Sequence, residues 1–303
     1  MKPTLLILAA GMGSRYGSLK QMDGVGPANE TIIDYSVYDA IQAGFGKVVF
    51  VIREFFAEDF RNHVVNKFSD QIEVVFAFQE VNTPIEGIDE LPERSKPWGT
   101  AHAVLVARDV INEPFAVINA DDFYGSDSFQ QISQFLQNDV TTKDHAMVGF
   151  RLAKTLSPNG SVSRGVCEMD VANMLQTVVE RTKIQREDGT IYYYENDQPH
   201  ALAETSLVSM NFWGFHPSIF DHMHRMFLDF VRDNKENPKA EFYIPLVVNQ
   251  IIVDGTDTVK VLDSSEQWYG VTYKEDKQSV QDALQGMTVA GRYPNPLWQS
   301  VSV

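Results

Sequence analysis

The sequence predicts an α/β protein: a mostly parallel central sheet with helices on both faces, joined to a β-rich second half. Three observations carry this. Short β-branched runs alternate with stretches of helical period up to about residue 145. Those runs are apolar throughout instead of alternating, as strands covered on both faces are. Beyond that point closely spaced, hairpin-like runs take over.

In order, TLLILAA (4–10) reads as the first strand, and TIIDYSVYDAIQAGFG (31–46) as a helix starting near Thr31 and closed by Gly44 and Gly46. KVVFVI (47–52) is a second strand, FAEDFRNHVVNKF (56–68) a helix and IEVVFAF (72–78) a third strand. The acidic, proline-bearing residues 80–98 read as a surface loop or lid. GTAHAVLVARDVI (99–111) is a helix that Thr100 would cap, and FAVINA (115–120) a strand. The later runs HAMVGFRL, GVCEMDV, MLQTVVERTKI, IYYYE after an Asp188-Gly189 turn, and LVSMNFWGF read as strands. Helices return at 216–233, 241–252 and 274–286. The economical organisation is one domain over 1–303, with an α/β half (1–145) and a β-rich half with C-terminal helices (146–303).

Forty-one acidic residues against 25 basic ones give a net charge of −16, which repels nucleic acid and an anionic membrane surface alike. Neither is expected as a partner. A single cysteine, Cys167, excludes an internal disulfide framework and fits a reducing compartment, so a cytoplasmic location is expected. PTLLILAA is better read as a buried strand than as a leader.

Directly behind the first strand stands LAAGMGSRYGSLKQ (8–21). Glycines there let a backbone approach phosphates, but Gly11, Gly13 and Gly17 give GxGxxxG, not the dinucleotide spacing, and GxxxxGK[ST] is absent. A long loop with Arg15 and Lys20 suits an anion. If a phosphate oxygen attacks the α-phosphorus of a nucleoside triphosphate, two anions must meet, and positioning plus cations do nearly all the work. VINADDFYG (117–125) ends an apolar strand on two acids, hard oxygen donors that suit Mg²⁺ at the edge where open α/β sheets carry their sites.

LAAGMGSR followed by SLKQ resembles the LAGGxGTR…PK loop of the sugar nucleotidyltransferases, which make nucleotide sugars from an NTP and a sugar 1-phosphate. The resemblance implies a Rossmann-like, GT-A-like nucleotidyltransferase fold. It assigns the backbone of Leu8, Ala9, Ala10, Gly11, Met12, Gly13 and Ser14 to the nucleotide, Arg15 to the β/γ-phosphates, Lys20 to the reacting phosphates and Asp121 to the metal, with Asp122 beside it on the sugar side. WGTAHAV is similar to the family's base-contacting GTxHA segment, which implies base contacts for Gly99, Thr100 and Gln79 and leans toward UTP or dTTP. RGVCEMD resembles YGVVEFD, and VVERTKI resembles the EEKP segment, which brings Gly165, Glu180 and Arg181 to the sugar. SMNFWGF stands at NTGIY, so Asn211 occupies the glycine position there, and Trp213 offers a stacking surface.

One departure bears on the metal. QWYGVTY aligns with WxDxGT but puts Gly270 where the family has a second metal-binding Asp, leaving one metal ligand or recruitment of Asp254 or Asp263. The implied reaction is Mg²⁺-dependent in-line transfer of an NMP group to a sugar 1-phosphate. A cytidylyltransferase acting on a phospho-alcohol such as phosphocholine, and a non-catalytic nucleotide-sugar-binding protein, are the alternatives. A homo-oligomer is compatible with each.

Overall fold

The computed structural model describes residues 1–11, 24–84, 87–88, 93–94, 96–271, 273 and 275–298. Its first half is built on four parallel strands, β1 (Thr4–Leu8), β2 (Lys47–Ile52), β3 (Glu73–Phe78) and β4 (Phe115–Asn119), in spatial order β3-β2-β1-β4. Along β1, Leu5 and Ile7 enter one hydrophobic core while Leu6 enters the other, all without solvent exposure. That double coverage is why the run reads apolar instead of alternating.

Helices α1 (Ile32–Gln42), α2 (Ala57–His63) and α4 (Ser126–Asn138) cover the first face; α3 (Thr100–Leu105), α5 (Ile219–Asp233) and α6 (Ile244–Val253) cover the second. Helix α1 starts on a capping box: the Asp34 backbone N–H donates to Thr31 Oγ1, and the Thr31 N–H donates to Asp34 Oδ2. It ends in a Schellman motif, in which the Phe45 N–H donates to the Ala40 carbonyl and the Gly44 N–H to that of Ile41. Gly44 takes φ 90° there, so it, not Gly46, is the closing residue. The helix expected over 56–68 is shorter, since regular geometry stops before the β-branched pair Val64-Val65. The one expected over 99–111 gives way after Leu105 to turns with i→i−3 hydrogen bonds that lead into β4.

In the second half, β6 (Asp144–Arg151) pairs with β11 (Leu207–Phe215) and with β12 (Thr258–Ser264), while β7 (Val162–Met169), β8 (Leu175–Glu187), β9 (Thr190–Glu195) and β10 (Gln198–Leu202) extend the same sheet as antiparallel ribbons. Two-residue turns with positive φ at both positions, Asp188-Gly189 and Asn196-Asp197, join β8 to β9 and β9 to β10. Strand β11 links the halves. Val208 and Ser209 pair with β7, the register breaks between Ser209 and Trp213, and Trp213–Phe215 then pair with β4. A short ribbon of β5 (Asp122–Phe123) and β13 (Tyr269–Gly270) closes the C-terminal edge of β4, and α7 (Asp276–Val289) packs with residues 293–297 beside it.

Candidate active site

The parallel strands end together. Leu8 stands in register with Val51 and Asn119, the Ala9 N–H donates to the Val51 carbonyl at 2.8 Å, and the Ala120 N–H donates to that of Leu8 at 3.2 Å. Ala9 and Ala10 are buried, whereas Gly11 is exposed and a Cβ placed there would meet nothing within 4 Å. The chain therefore leaves the sheet at Gly11 over open space. Met12, Gly13, Ser14, Arg15 and Lys20 lie outside the described residues.

On one flank Gln79 follows β3 and is held by its backbone N–H on the Ile52 carbonyl at 3.0 Å. Its amide nitrogen Nε2 donates to the Gly99 carbonyl at 3.0 Å and lies 3.1 Å from His102 Nδ1. A carbonyl can only accept, so it fixes which end of the amide is nitrogen. Burial pushes His102 down to about 3, with Arg94 adding to the effect, so the ring is neutral and its Nδ1 accepts from Gln79. The Gln79 Oε1 carries no hydrogen bond among the described residues and is left as a fixed acceptor.

Gly99 takes φ 101°, and a Cβ on it would lie 2.7 Å from the Phe242 carbonyl oxygen, so only glycine fits where this loop crosses the segment leading into α6. The N-cap of α3 is Gly99, not Thr100 as the sequence suggested. The Thr100 hydroxyl instead accepts from the Ile244 N–H at 3.2 Å, satisfying the first turn of α6.

Opposite stand the acids. Asp121 is exposed just past β4, while Asp122 is turned inward. Asp122 Oδ2 accepts from Asn119 Nδ2 at 2.9 Å and from the Tyr124 hydroxyl at 3.2 Å. Burial, then the neighbouring Asp121 charge, pushes the Asp122 carboxyl up to about 7, with Asn119 and Arg164 pulling the other way. Gly270 lies directly across the ribbon from Asp122. A Cβ there would stand 3.0 Å from Asp122 Oδ1 and only 2.4 Å from the Trp268 ring, so Trp268 fills the room a second carboxylate would take.

The recruits considered for that role are engaged elsewhere. Asp263 pairs with Arg151 at 3.1 Å, and Asp254 accepts from Gln250 at the C-terminus of α6. Helix α6 begins at Ile244, beside Thr100, which leaves Asp254 about 15 Å further along at 1.5 Å rise per residue. Among the described residues no group of three or more His, Cys, Asp or Glu could hold a metal. Asp121 offers one exposed carboxylate, a hard oxygen donor of the kind Mg²⁺ takes.

The residues expected on the sugar side lie on the β7–β8 ladder. Gly165 lies across from Glu180, and a Cβ on it would meet Val178 at 2.7 Å, Ser209 at 3.4 Å and Glu180 Oε2 at 3.8 Å. Gly165, Ser209 and Glu180 thus share one face. Partial burial pushes the Glu180 carboxyl up, against the pull of Arg164. Tyr243, between Phe242 and Ile244, is pushed up to about 12 by burial and by the Glu241 and Glu180 carboxylates, so the approach to α6 feels the Glu180 charge.

Arg181 is one residue on and points to the other face, where its guanidinium lies 4.6 Å from the Tyr193 ring centre and pairs with Glu195 at 3.0 Å. Asn211 sits in the irregular step of β11 with φ 63°; its Nδ2 donates to Asn119 Oδ1 at 2.7 Å and its Oδ1 accepts from Trp213 Nε1 at 2.8 Å. Trp213 has no exposed surface, so it cannot stack on a sugar.

Sequence reasoning missed Asn119, Tyr124 and Arg164. Asn119 links Asn211 to Asp122, and a polar residue closing an apolar strand was its signal. Arg164 is the neighbour of Gly165 in RGVCEMD. It is buried, lies 4.7 Å from the Trp268 ring centre, and its charge is felt by both Asp122 and Glu180.

The nucleotidyl transferase family profile matches residues 4–272. No curated protein sequence matches the chain. Among solved structures, a provisionally named glucose-1-phosphate thymidylyltransferase from Bacillus anthracis, solved with sucrose, superposes with TM-score 0.62 at 14% identity, covering 93% of this chain and 95% of that one. A UDP-glucose pyrophosphorylase complexed with UDP-glucose gives TM-score 0.58 at 18% identity, covering 93% and 98%. An inositol-1-phosphate CTP transferase from T. maritima gives 0.61 at 12%, covering 93% and 96%. At such identities the likeness is one of fold.

Proposed function

Because the chain belongs to the nucleotidyl transferase family, we propose that it transfers a nucleoside monophosphate from UTP or dTTP to a sugar 1-phosphate and releases pyrophosphate. An oxygen of the acceptor phosphate attacks the α-phosphorus, the bond from that phosphorus to the β-phosphate bridging oxygen breaks in line, and the electron pair leaves with pyrophosphate. A phosphate monoester is largely dianionic near pH 7, its second pKa being about 6, so no general base is needed.

Each residue has a bounded task. The backbone from Leu8 to Ser14 cradles the triphosphate, Arg15 steadies the departing pyrophosphate, and Lys20 offsets charge where the two anions meet. Asp121 would hold Mg²⁺, and a divalent ion there would supply charge to offset that of the α-phosphate. Asp122, tied to Asn119 and through it to Asn211, fixes the strand end on which Asp121 stands. Gly165 and Glu180 receive the sugar.

The observation that carries the base preference is the locked Gln79 amide. Its NH₂ is used by the Gly99 carbonyl and His102, so Oε1 is the atom it can offer a base, as an acceptor. Uracil and thymine carry an N–H at ring position N3, whereas cytosine carries a lone pair there. Pyrophosphate release with UTP, dTTP, CTP, ATP and GTP, each against sugar 1-phosphates and phosphocholine, tests the reading. Turnover confined to UTP or dTTP with a sugar 1-phosphate supports it. Turnover with CTP and phosphocholine, or none with any pair, contradicts it.

A further inference from the structure

Because adjacent residues of a strand point to opposite faces, the β7–β8 ladder has a back as well as a front. Gly165 and Glu180 face the proposed acceptor groove, while Val166, Val179 and Arg181 line a separate, open cavity of about 460 Å³ on the reverse side, bordered by β9 and β10. That volume falls within the roughly 300–1,000 Å³ of small-ligand pockets. Val166, Val179 and Leu202 give its lining an apolar part.

Its rim carries Glu168, Arg181, Tyr193 and His200. Three of these form a stack: the Arg181 guanidinium lies 4.6 Å from the centre of the Tyr193 ring, which is stacked at 4.9 Å and 18° on His200. Arg181 spends one nitrogen on Glu195. The Glu168 carboxylate, the Tyr193 hydroxyl and the His200 ring nitrogens make no hydrogen bond among the described residues.

We propose that this reverse-side cavity is a second binding site, distinct from the acceptor groove, for a neutral polyhydroxylated ring such as a free monosaccharide. The charges select that class. An anion would be repelled by Glu168 and a cation by Arg181, whereas a hydroxyl donates to the first and accepts from the second. The C–H face of a pyranose rests on the valines and Leu202, and its hydroxyl edge meets the rim. The Val166–Val179 pair that lines the cavity is next along the ladder to the Gly165–Glu180 pair. The site does not depend on the nucleotidyl-transfer reading, and the test reads binding, not turnover.

Saturation-transfer NMR of the full chain with millimolar D-glucose, D-galactose, D-mannose or myo-inositol is the experiment, repeated with Glu168→Ala and His200→Ala. Both replaced side chains are exposed, so the fold should survive, and thermal melting verifies that. At least one probe should bind the wild type, keep its signal when glucose 1-phosphate is added, and bind each variant about tenfold more weakly, the effect of one lost hydrogen bond of about 1.4 kcal/mol. No signal from any probe overturns the proposal. So does a signal that survives both substitutions, or one displaced by glucose 1-phosphate, since the sugar would then sit in the acceptor groove.

Discussion

Base choice is the sharpest consequence of the geometry. In the wild type, cytosine would set a lone pair against Gln79 Oε1, losing one hydrogen bond and leaving an acceptor unpaired in a partly desolvated groove. That costs about 1–3 kcal/mol, roughly 5- to 150-fold in kcat/KM between UTP and CTP. The amide cannot turn to welcome cytosine, since its oxygen would then face the Gly99 carbonyl, now 3.0 Å from Nε2. Gln79→Ala removes the discriminating atom, so the UTP:CTP ratio should fall toward unity while thermal melting reports any general loosening around His102. The ratio is the quantity to measure, by coupled pyrophosphate release, because partial misfolding lowers both rates together. Equal use of UTP and CTP by the wild type, or a ratio unmoved in the variant, would refute the reasoning.

Other consequences are independent of the substrate. Gly99→Ala places a Cβ 2.7 Å from the Phe242 carbonyl at φ 101°, so a chemical denaturation midpoint should report a loss of at least about 2 kcal/mol. Asp39 is buried and accepts from the Tyr293 hydroxyl at 2.8 Å; burial raises its carboxyl from 3.8 to about 8. The folded state therefore binds the proton more tightly than the unfolded one, and stability falls as pH rises through the window between those values, by up to about 1.4 kcal/mol per pH unit. Asp39→Asn keeps an acceptor for Tyr293 and should flatten that slope in urea titrations at several pH values; an unchanged slope would assign it to other groups. Burial pushes the Cys167 thiol up to about 12, so iodoacetamide should label it only after unfolding.

Much of the frame was legible because each signal had a local physical cause. Strands covered on both faces must be apolar throughout, as Leu5 to Ile7 are, and Thr31 with Asp34 spells a capping box. Strand β10 was not legible, since its exposed edge residues Gln198–Leu202 include a proline and carry no hydrophobic rhythm. Helix α4 went unread although its apolar residues Phe129, Ile132, Phe135 and Leu136 have helical spacing. In the site, the sequence named segments but could not say which way side chains turn. Neighbours Glu180 and Arg181 look alike as a pair and face opposite sides of one strand. Thr100 looked like a cap for its own helix and serves α6, because the partner N–H arrives from 144 residues away. Gly270 shows the opposite relation: the missing carboxylate was visible in the sequence, but the Trp268 ring in its place was not.

The central claim is that an acceptor phosphate oxygen displaces pyrophosphate at the α-phosphorus of a nucleoside triphosphate. Phosphorus NMR of the reaction with a sugar 1-phosphate carrying heavy oxygen on its phosphate follows that oxygen directly. The account predicts that the label enters the new diphosphate bridge of the nucleotide sugar, with pyrophosphate unlabelled and formed in equal amount. Heavy oxygen in the pyrophosphate, or pyrophosphate formed without any nucleotide sugar, would contradict it.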